Sequence, residues 1–368
     1  MNHTRITVAL GLLLVIAGVG APGTADADTA RAWQGARQPV KVKHLRPAMK
    51  SSEGYGDKYT FNADFEGGGS FYYSLTISNL GLGDGKMEAK GRLTVGGESF
   101  RWKKNLDDDE WKYSKKGFSI TAGPARMSGE PKKLQMSARA KGAEVELTFE
   151  AIANPWRPRD GRIRWGDEGV SDYTVFPLMK VTGRYKKSGG EWTALTGTGY
   201  GTRSWSSAAA YDVLRRAMEL RVIDGDKTIY MRELAATEDF GKKRIAYLLV
   251  TRGNEVLYES FDHQFSPTEV MTDTKHDNRY KVPEAFTIVG KDAEDPARMI
   301  RGKVTKKKLR KRREPLKKMN AAVRAVASQY SEPVSYDYDV DVLVEVKVGA
   351  ETIRIGTVGR YEVNHLNK

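Results

Sequence analysis

Asp262 and His263 form an adjacent acid and imidazole pair. General acid–base catalysis could use the pair if both groups faced one cavity. Neighbours on a strand point to opposite faces, so the same spacing suits a turn or an exposed pair better. Asp167, Glu168 and Asp172 cluster near Trp165 ahead of a strand, where acidic side chains more often solvate a loop than act as paired catalytic carboxylates. Asp172, Asp262 and His263 are therefore candidates for proton transfer with an ordinary structural reading beside each. The remaining chemistry is sparse. The five histidines, His3, His44, His263, His276 and His365, are scattered and there is no cysteine, so no metal-ligand spacing is present and no metal is expected. The chain has no His-Glu-x-x-His helix, no Gly-x-Ser-x-Gly elbow, no P-loop and no Gly-x-Gly-x-x-Gly turn, and no cofactor is expected.

The elements that would position these residues are strands. Phe71, Tyr73, Leu75 and Ile77 alternate with Tyr72, Ser74, Thr76 and Ser78, and Val340 to Val348 places a valine at every second position, the period of a half-buried strand. Gly96-Gly97, Lys141-Gly142, Gly189-Gly190, Asp224-Gly225 and Gly253-Asn254 punctuate these runs as hairpin turns. Helical spacing is confined to Ser206 to Met218, with Tyr211, Leu214 and Met218, and to the stripe Leu316, Met319, Val323, Val326 and Tyr330 before Pro333. The expected fold is all-β: two antiparallel up-and-down or meander barrels packed together, closed so that few edges remain, with one or two short helices. A sandwich is the competing all-β architecture.

Met1 to Ala27 has a short polar start with Arg5, an apolar run from Ile6 to Ala21, Pro22-Gly23 and the small residues Ala25 and Ala27, the pattern of a cleaved signal peptide. The expected organisation is residues 1–27 as signal peptide, 28–205 as one barrel and 206–368 as the second, in a periplasmic or secreted protein. Without disulfides, each core must be large enough to hold alone. The formal net charge is +14, and residues 306–318 hold nine basic side chains against Glu314. Read as a loop, this segment offers Lys306, Lys307, Lys308, Arg310, Lys311, Arg312 and Arg313 to an anionic membrane surface or simply to solvent. Its confinement argues against nucleic acid, which needs a broader basic footprint.

The run Val181-Thr182-Gly183-Arg184-Tyr185, followed by Leu195-Thr196-Gly197-Thr198-Gly199-Tyr200-Gly201-Thr202-Arg203-Ser204-Trp205, resembles the central region of a lipocalin-like superfamily. That group includes the AttH proteins, the carotenoid hydratases and a set of survival factors. The Phe71 to Leu93 hairpin, the strand pair around Asp224-Gly225 and the closing Gly359-Arg360-Tyr361-Glu362 are similar in the same order. The resemblance implies paired lipocalin-like barrels that take hydrophobic molecules and, in some members, hydrate or cyclise them. It also implies an Asp-His pair ahead of the tryptophan in the enzymes, where this chain has Thr202 and Arg203. A non-enzymatic carrier of a lipid or isoprenoid-like ligand is accordingly the first expectation. Tyr73, Trp102, Phe176, Tyr200 and Trp205 would lie near its cleft, with Arg203 anchoring a headgroup. A hydratase, isomerase or cyclase acting on an apolar substrate is the alternative, and an envelope interaction protein working through residues 306–318 is a third.

Overall fold

The computed structural model describes residues 30–79 and 84–367. The expected signal peptide and most of the glycine-rich turn after Asn79 lie outside them. The first sheet contains β1 (Ala30–Ala32), β2 (Gly56–Phe65), β3 (Ser70–Ser78), β4 (Lys86–Val95), β5 (Glu98–Leu106), β6 (Trp111–Tyr113), β7 (Ser119–Ala122), β8 (Ala125–Glu130), β9 (Lys133–Ala140), β10 (Ala143–Ala151), β11 (Arg162–Trp165), β12 (Val170–Lys187) and β13 (Thr193–Ser206). The second contains β14 (Leu214–Asp224), β15 (Lys227–Ala236), β16 (Arg244–Arg252), β17 (Glu255–Ser260), β18 (Gln264–Thr272), β19 (Lys281–Lys291), β20 (Met299–Arg313), β21 (Val334–Val348) and β22 (Glu351–His365). All the pairings are antiparallel. The chain is all-β in two curled sheets, as its period-two patterning predicts.

The first sheet runs β5-β4-β3-β2-β13-β12-β10-β9-β8-β7-β6, with β11 and then β1 branching from β12. The second runs β17-β16-β15-β14-β22-β21-β20-β19-β18. The expected closure is incomplete: among the described residues β5 and β6, and likewise β17 and β18, remain as sheet ends. The exposed edge β18 carries Pro267 and outward-facing side chains, which discourage pairing with another chain.

Inward faces follow the alternation. Tyr59, Phe61, Ala63 and Phe65 of β2 join Phe71, Tyr73, Leu75 and Ile77 of β3 in the first core, while Val340, Val342, Val344 and Val346 of β21 anchor the second. The Gly-x-Gly-x-Gly run of β13 now has a physical reason. A Cβ on Gly201 would stand 2.3 Å from the ring of Phe61, and one on Gly199 would stand 2.7 Å from the ring of Phe149. These glycines leave the inner face of β13 open so that rings from β2 and β10 can lie across it.

Three sequence expectations change. Only Ala210–Val213 (α1) of the segment 206–218 is helical, and Leu214 and Met218 belong to β14, where backbone pairing with β15 outcompetes the short alanine run. The stripe after Leu316 divides into a 3-10 turn, Pro315–Lys318, and α2, Ala321–Ala327. Most of the basic segment is not a loop: through Arg313 it is the end of β20, with Ile300 and Val304 buried ahead of it. Its charges are paired across strands, Lys306 with Glu284, Lys307 with Asp341, Arg310 with Asp339, Arg312 with Asp273 and Arg313 with Glu362. No carboxylate pairs with Lys308 or Lys311 among the described ion pairs. Among the described residues no helix is long and apolar enough to cross a membrane.

The packing of β13 gives a direct expectation. Gly201→Val forces a branched side chain into the Phe61 ring and should lower stability by about 1–3 kcal/mol. Urea denaturation monitored by circular dichroism measures it, and an unchanged midpoint would show that the ring has room to move.

Candidate functional site

β12 brings the two sheets together. Every residue from Ser171 to Met179 is buried, because Phe176 and Met179 face the first core while Tyr173 and Val175 face the second sheet. Across this junction the Arg221 guanidinium lies 4.2 Å from the Tyr200 ring centroid, and that of Arg232 lies 4.9 Å from the Tyr173 ring. Glu219 holds both arginines, at 3.0 and 3.3 Å. Two cations and one carboxylate thus dock the sheets through aromatic faces, an arrangement worth more once desolvated.

Beside the junction is a groove of about 1050 Å³. Its apolar walls are Trp33 after β1, Ile245 and Ala246 of β16, Phe261, Val289 of β19 and Met299 of β20, and six cationic and three acidic side chains also line it. Val289 and Met299 are 48% and 43% exposed, so apolar side chains face the opening. Trp33 has a φ of +53°, a costly conformation for a bulky residue. It is held there by its Nε1 donating to the Ala246 carbonyl at 2.8 Å and its N–H donating to the Arg162 carbonyl at 3.1 Å. Its ring is edge-on to Tyr173 and Tyr247. The first sheet therefore supplies one wall of a groove otherwise built by the second.

Acidic groups meet this groove in two ways. Asp262 lines it directly and accepts a 3.0 Å hydrogen bond from Ser260 Oγ. Glu259, on β17, is fully buried and tied to two lining residues: its N–H donates to Asp292, and its carbonyl accepts from Ala293 N–H. One carboxyl oxygen receives Trp156 Nε1 at 2.8 Å and the Arg37 guanidinium, whereas Oε1 has no hydrogen-bond partner among the described residues. Burial pushes this carboxyl up, opposed by Arg37 and Trp156. It is suited to carry a proton. His263 turns the other way, with Nε2 2.6 Å from Glu233 Oε1, and Arg244 clamps the same carboxylate. Asp262 and His263 therefore do not form one acid–base pair: in the bend between β17 and β18 the first takes Ser260 and the second takes Glu233.

A second, polar pocket of about 520 Å³ lies at one end of the first sheet. Asp172, Arg203 and Trp205 all line it, an association that their sequence positions did not reveal. Arg203 is buried and donates through Nε and Nη2 to Asp57, at 3.1 and 2.6 Å, and through Nη1 to the His44 carbonyl at 2.6 Å. Asp172 is buried against Arg157 in the same bidentate way, at 3.0 and 2.7 Å. Burial pushes the Asp172 carboxyl up, against the pull of Arg157, Arg203 and Arg162. Arg203 is thus a strut inside the wall, its fork already filled by Asp57.

The other expected ligand residues separate. Tyr73, Trp102 and Phe176 are buried together in the first core, with the Tyr73 and Trp102 rings 6.3 Å apart and Phe176 5.1 Å from Phe61. Tyr73 Oη and Trp102 Nε1 have no hydrogen-bond partner among the described residues. Tyr200 serves the junction instead. Trp33 and Glu259 escaped sequence reading, the first because it sits in a segment without period and the second because a glutamate near a strand end carries no signal of burial. Among the described residues there is no group of three side chains able to hold a metal ion.

The buried pairs set a measurable expectation. Asp57→Asn leaves the Arg203 charge unpaired and should cost about 3–5 kcal/mol, while the double variant Asp57→Leu/Arg203→Met should recover a good part of that loss. Chemical denaturation of the two variants decides it. A single variant as stable as the parent would remove the pair from the structural account.

No family profile matches the chain, and no curated protein matches it by sequence. Solved structures do. An AttH-type protein from Nitrosomonas europaea superposes with a TM-score of 0.51 at 14% identity, covering 85% of this chain and 93% of that one. CghA matches with a TM-score of 0.58 at 10% identity over 90% and 93% of the two chains. Kievitone hydratase from Nectria haematococca matches with 0.52 at 12% identity over 92% and 98%. Across nearly its whole length, therefore, the chain has the two-sheet, lipocalin-like fold of the AttH and kievitone hydratase structures.

Proposed function

We propose that this protein binds a small molecule with an apolar body in the groove beside Trp33 and carries out proton-transfer chemistry of the hydratase or isomerase type on it. The observation that carries the proposal is the pairing of a groove of about 1050 Å³ that has an apolar wall with Glu259, a buried carboxyl bonded through its backbone to the groove lining and with one oxygen unpartnered among the described residues. Addition of water to a double bond, or its migration, needs a proton delivered to carbon and another removed nearby. Glu259, seated directly behind the lining residues Asp292 and Ala293 and held toward its protonated form by burial, is the donor. Asp262, lining the groove, is the group placed to accept. Kievitone hydratase, which shares the fold, lends support from outside the chain.

A carrier role has its own support. Thr202 and Arg203 occupy the places where the resemblance implies an acid and an imidazole in enzymatic members, and Arg203 is committed to Asp57. One experiment separates the two. Apolar small-molecule extracts are incubated with the full chain in D₂O and in H₂¹⁸O, then compared by mass spectrometry with the same extracts incubated with Glu259→Gln. Chemistry in the groove predicts a compound that gains deuterium or labelled water, at a rate at least about 10²-fold lower with the variant. A compound retained by the protein without isotope uptake would establish carriage and overturn the enzymatic reading. Full activity in Glu259→Gln would remove this residue as donor.

A further inference from the structure

The polar pocket at the end of the first sheet has a composition that its two buried ion pairs do not require. Six cationic side chains, Lys43, Arg46, Lys50, Arg157, Arg162 and Arg203, line it against the single carboxylate Asp172. Asp172 is taken by Arg157, and Asp57 behind the wall is taken by Arg203. No carboxylate pairs with Lys43, Arg46 or Lys50 among the described ion pairs. His44 among them is pushed down to about 4 by burial and then by Arg157, Lys43, Arg203 and Arg162. A neutral imidazole and an uncompensated positive field therefore share the pocket.

The segment bearing Lys43, Arg46 and Lys50 is irregular apart from one 3-10 turn, Val42–His44, yet it is fixed in place by side chains from the sheet below. Arg203 Nη1 donates to the His44 carbonyl, Tyr59 Oη to that of Leu45 at 2.7 Å, and Asn79 Nδ2 to those of Lys50 and Ser52 at 2.8 and 3.0 Å. Asp57 and Tyr55 Oη accept the N–H groups of Ala48 and Met49, each at 3.0 Å. A surface loop of loosely solvated lysines has no need of such anchoring, because its charges gain by spreading into water. Trp205 forms an aromatic side of the same pocket, with Lys50 Nζ 5.6 Å from its ring centroid.

We propose that this pocket is a binding site, separate from the groove, for a small organic anion: a carboxylate or phosphate group held by Lys43, Arg46 and Lys50, with an aromatic or apolar body against Trp205. An anion there relieves the repulsion among the cations, and the prefixed backbone spares the ordering cost of binding. The buried pairs Asp57–Arg203 and Arg157–Asp172 shape the floor and do not touch the ligand's charge, since their forks are occupied. The site stands whether the groove catalyses or carries.

Calorimetric titration of the full chain with phenyl phosphate, benzoate and phenol tests the proposal. At least one of the two anions should bind while phenol does not, and the tighter of the two identifies phosphate or carboxylate as the preferred group. The double variant Lys43→Gln/Lys50→Gln should weaken that binding tenfold or more with the thermal unfolding midpoint retained, because both lysines are exposed. Lys308→Gln/Lys311→Gln, which removes the same charge from β20, should leave it unchanged. Absence of binding by both anions, equal binding of phenol, undiminished binding by the first variant, or equal loss in both variants would overturn the site.

Discussion

A strand buried on both faces cannot be satisfied by one sheet, and β12 is such a strand. From Ser171 to Met179 one set of side chains fills the first core and the other meets the second sheet. Exposing Tyr173 and Val175 would leave an apolar face in water, which makes docking of the sheets a requirement of β12 rather than an accessory to it. The same constraint draws polar groups inside. Asp172 sits at the start of the buried stretch and is matched by Arg157; Arg203 lies on neighbouring β13 and is matched by Asp57. A buried charge is tolerated only when paired and hydrogen-bonded, so the ion pairs follow from the burial of this strand pair.

Docking also determines where open space remains. The cation and aromatic contacts of Arg221 with Tyr200 and Arg232 with Tyr173 fill the centre of the junction. The groove opens beside it, where Trp33 from the first sheet meets β16 and the ends of β19 and β20. The two recesses differ in chemistry. The groove presents Ile245, Phe261, Val289 and Met299 amid a lining of mixed charge, with three carboxylates among six cations, whereas the pocket beside Trp205 sets one carboxylate against six cations. One suits the body of an apolar molecule and the other suits an anionic group.

Much of the architecture was legible in period-two alternation, most clearly at Phe71 to Ile77 and Val340 to Val348, where inward and outward positions differ sharply in polarity. β18, β19 and β20 were harder to see. The outer face of β20 is so charged that its run of lysines and arginines reads as a loop until Asp273, Glu284, Asp339 and Asp341 are placed across from them. Those partners are far apart in sequence, and only the pairing of strands brings them together. Short helical stripes misled for the opposite reason: Leu214 and Met218 have helical spacing, but their backbone groups are taken by β15 and β22. At the candidate site the individual residues Asp172, Arg203 and Trp205 stood out, while their meeting in one pocket depends on the register between β12 and β13. Glu259 was invisible because nothing local marks it as buried; its environment comes from Arg37 and Trp156, more than a hundred residues away.

The groove beside Trp33 is the proposed seat of an apolar body. Crystals of the full chain soaked with a set of brominated apolar fragments report this without any knowledge of the natural ligand, through the anomalous signal of the bromine. Bromine peaks are expected between Trp33, Phe261 and Val289. Peaks confined to other surfaces, with the groove holding only water at fragment concentrations that occupy them, would contradict it.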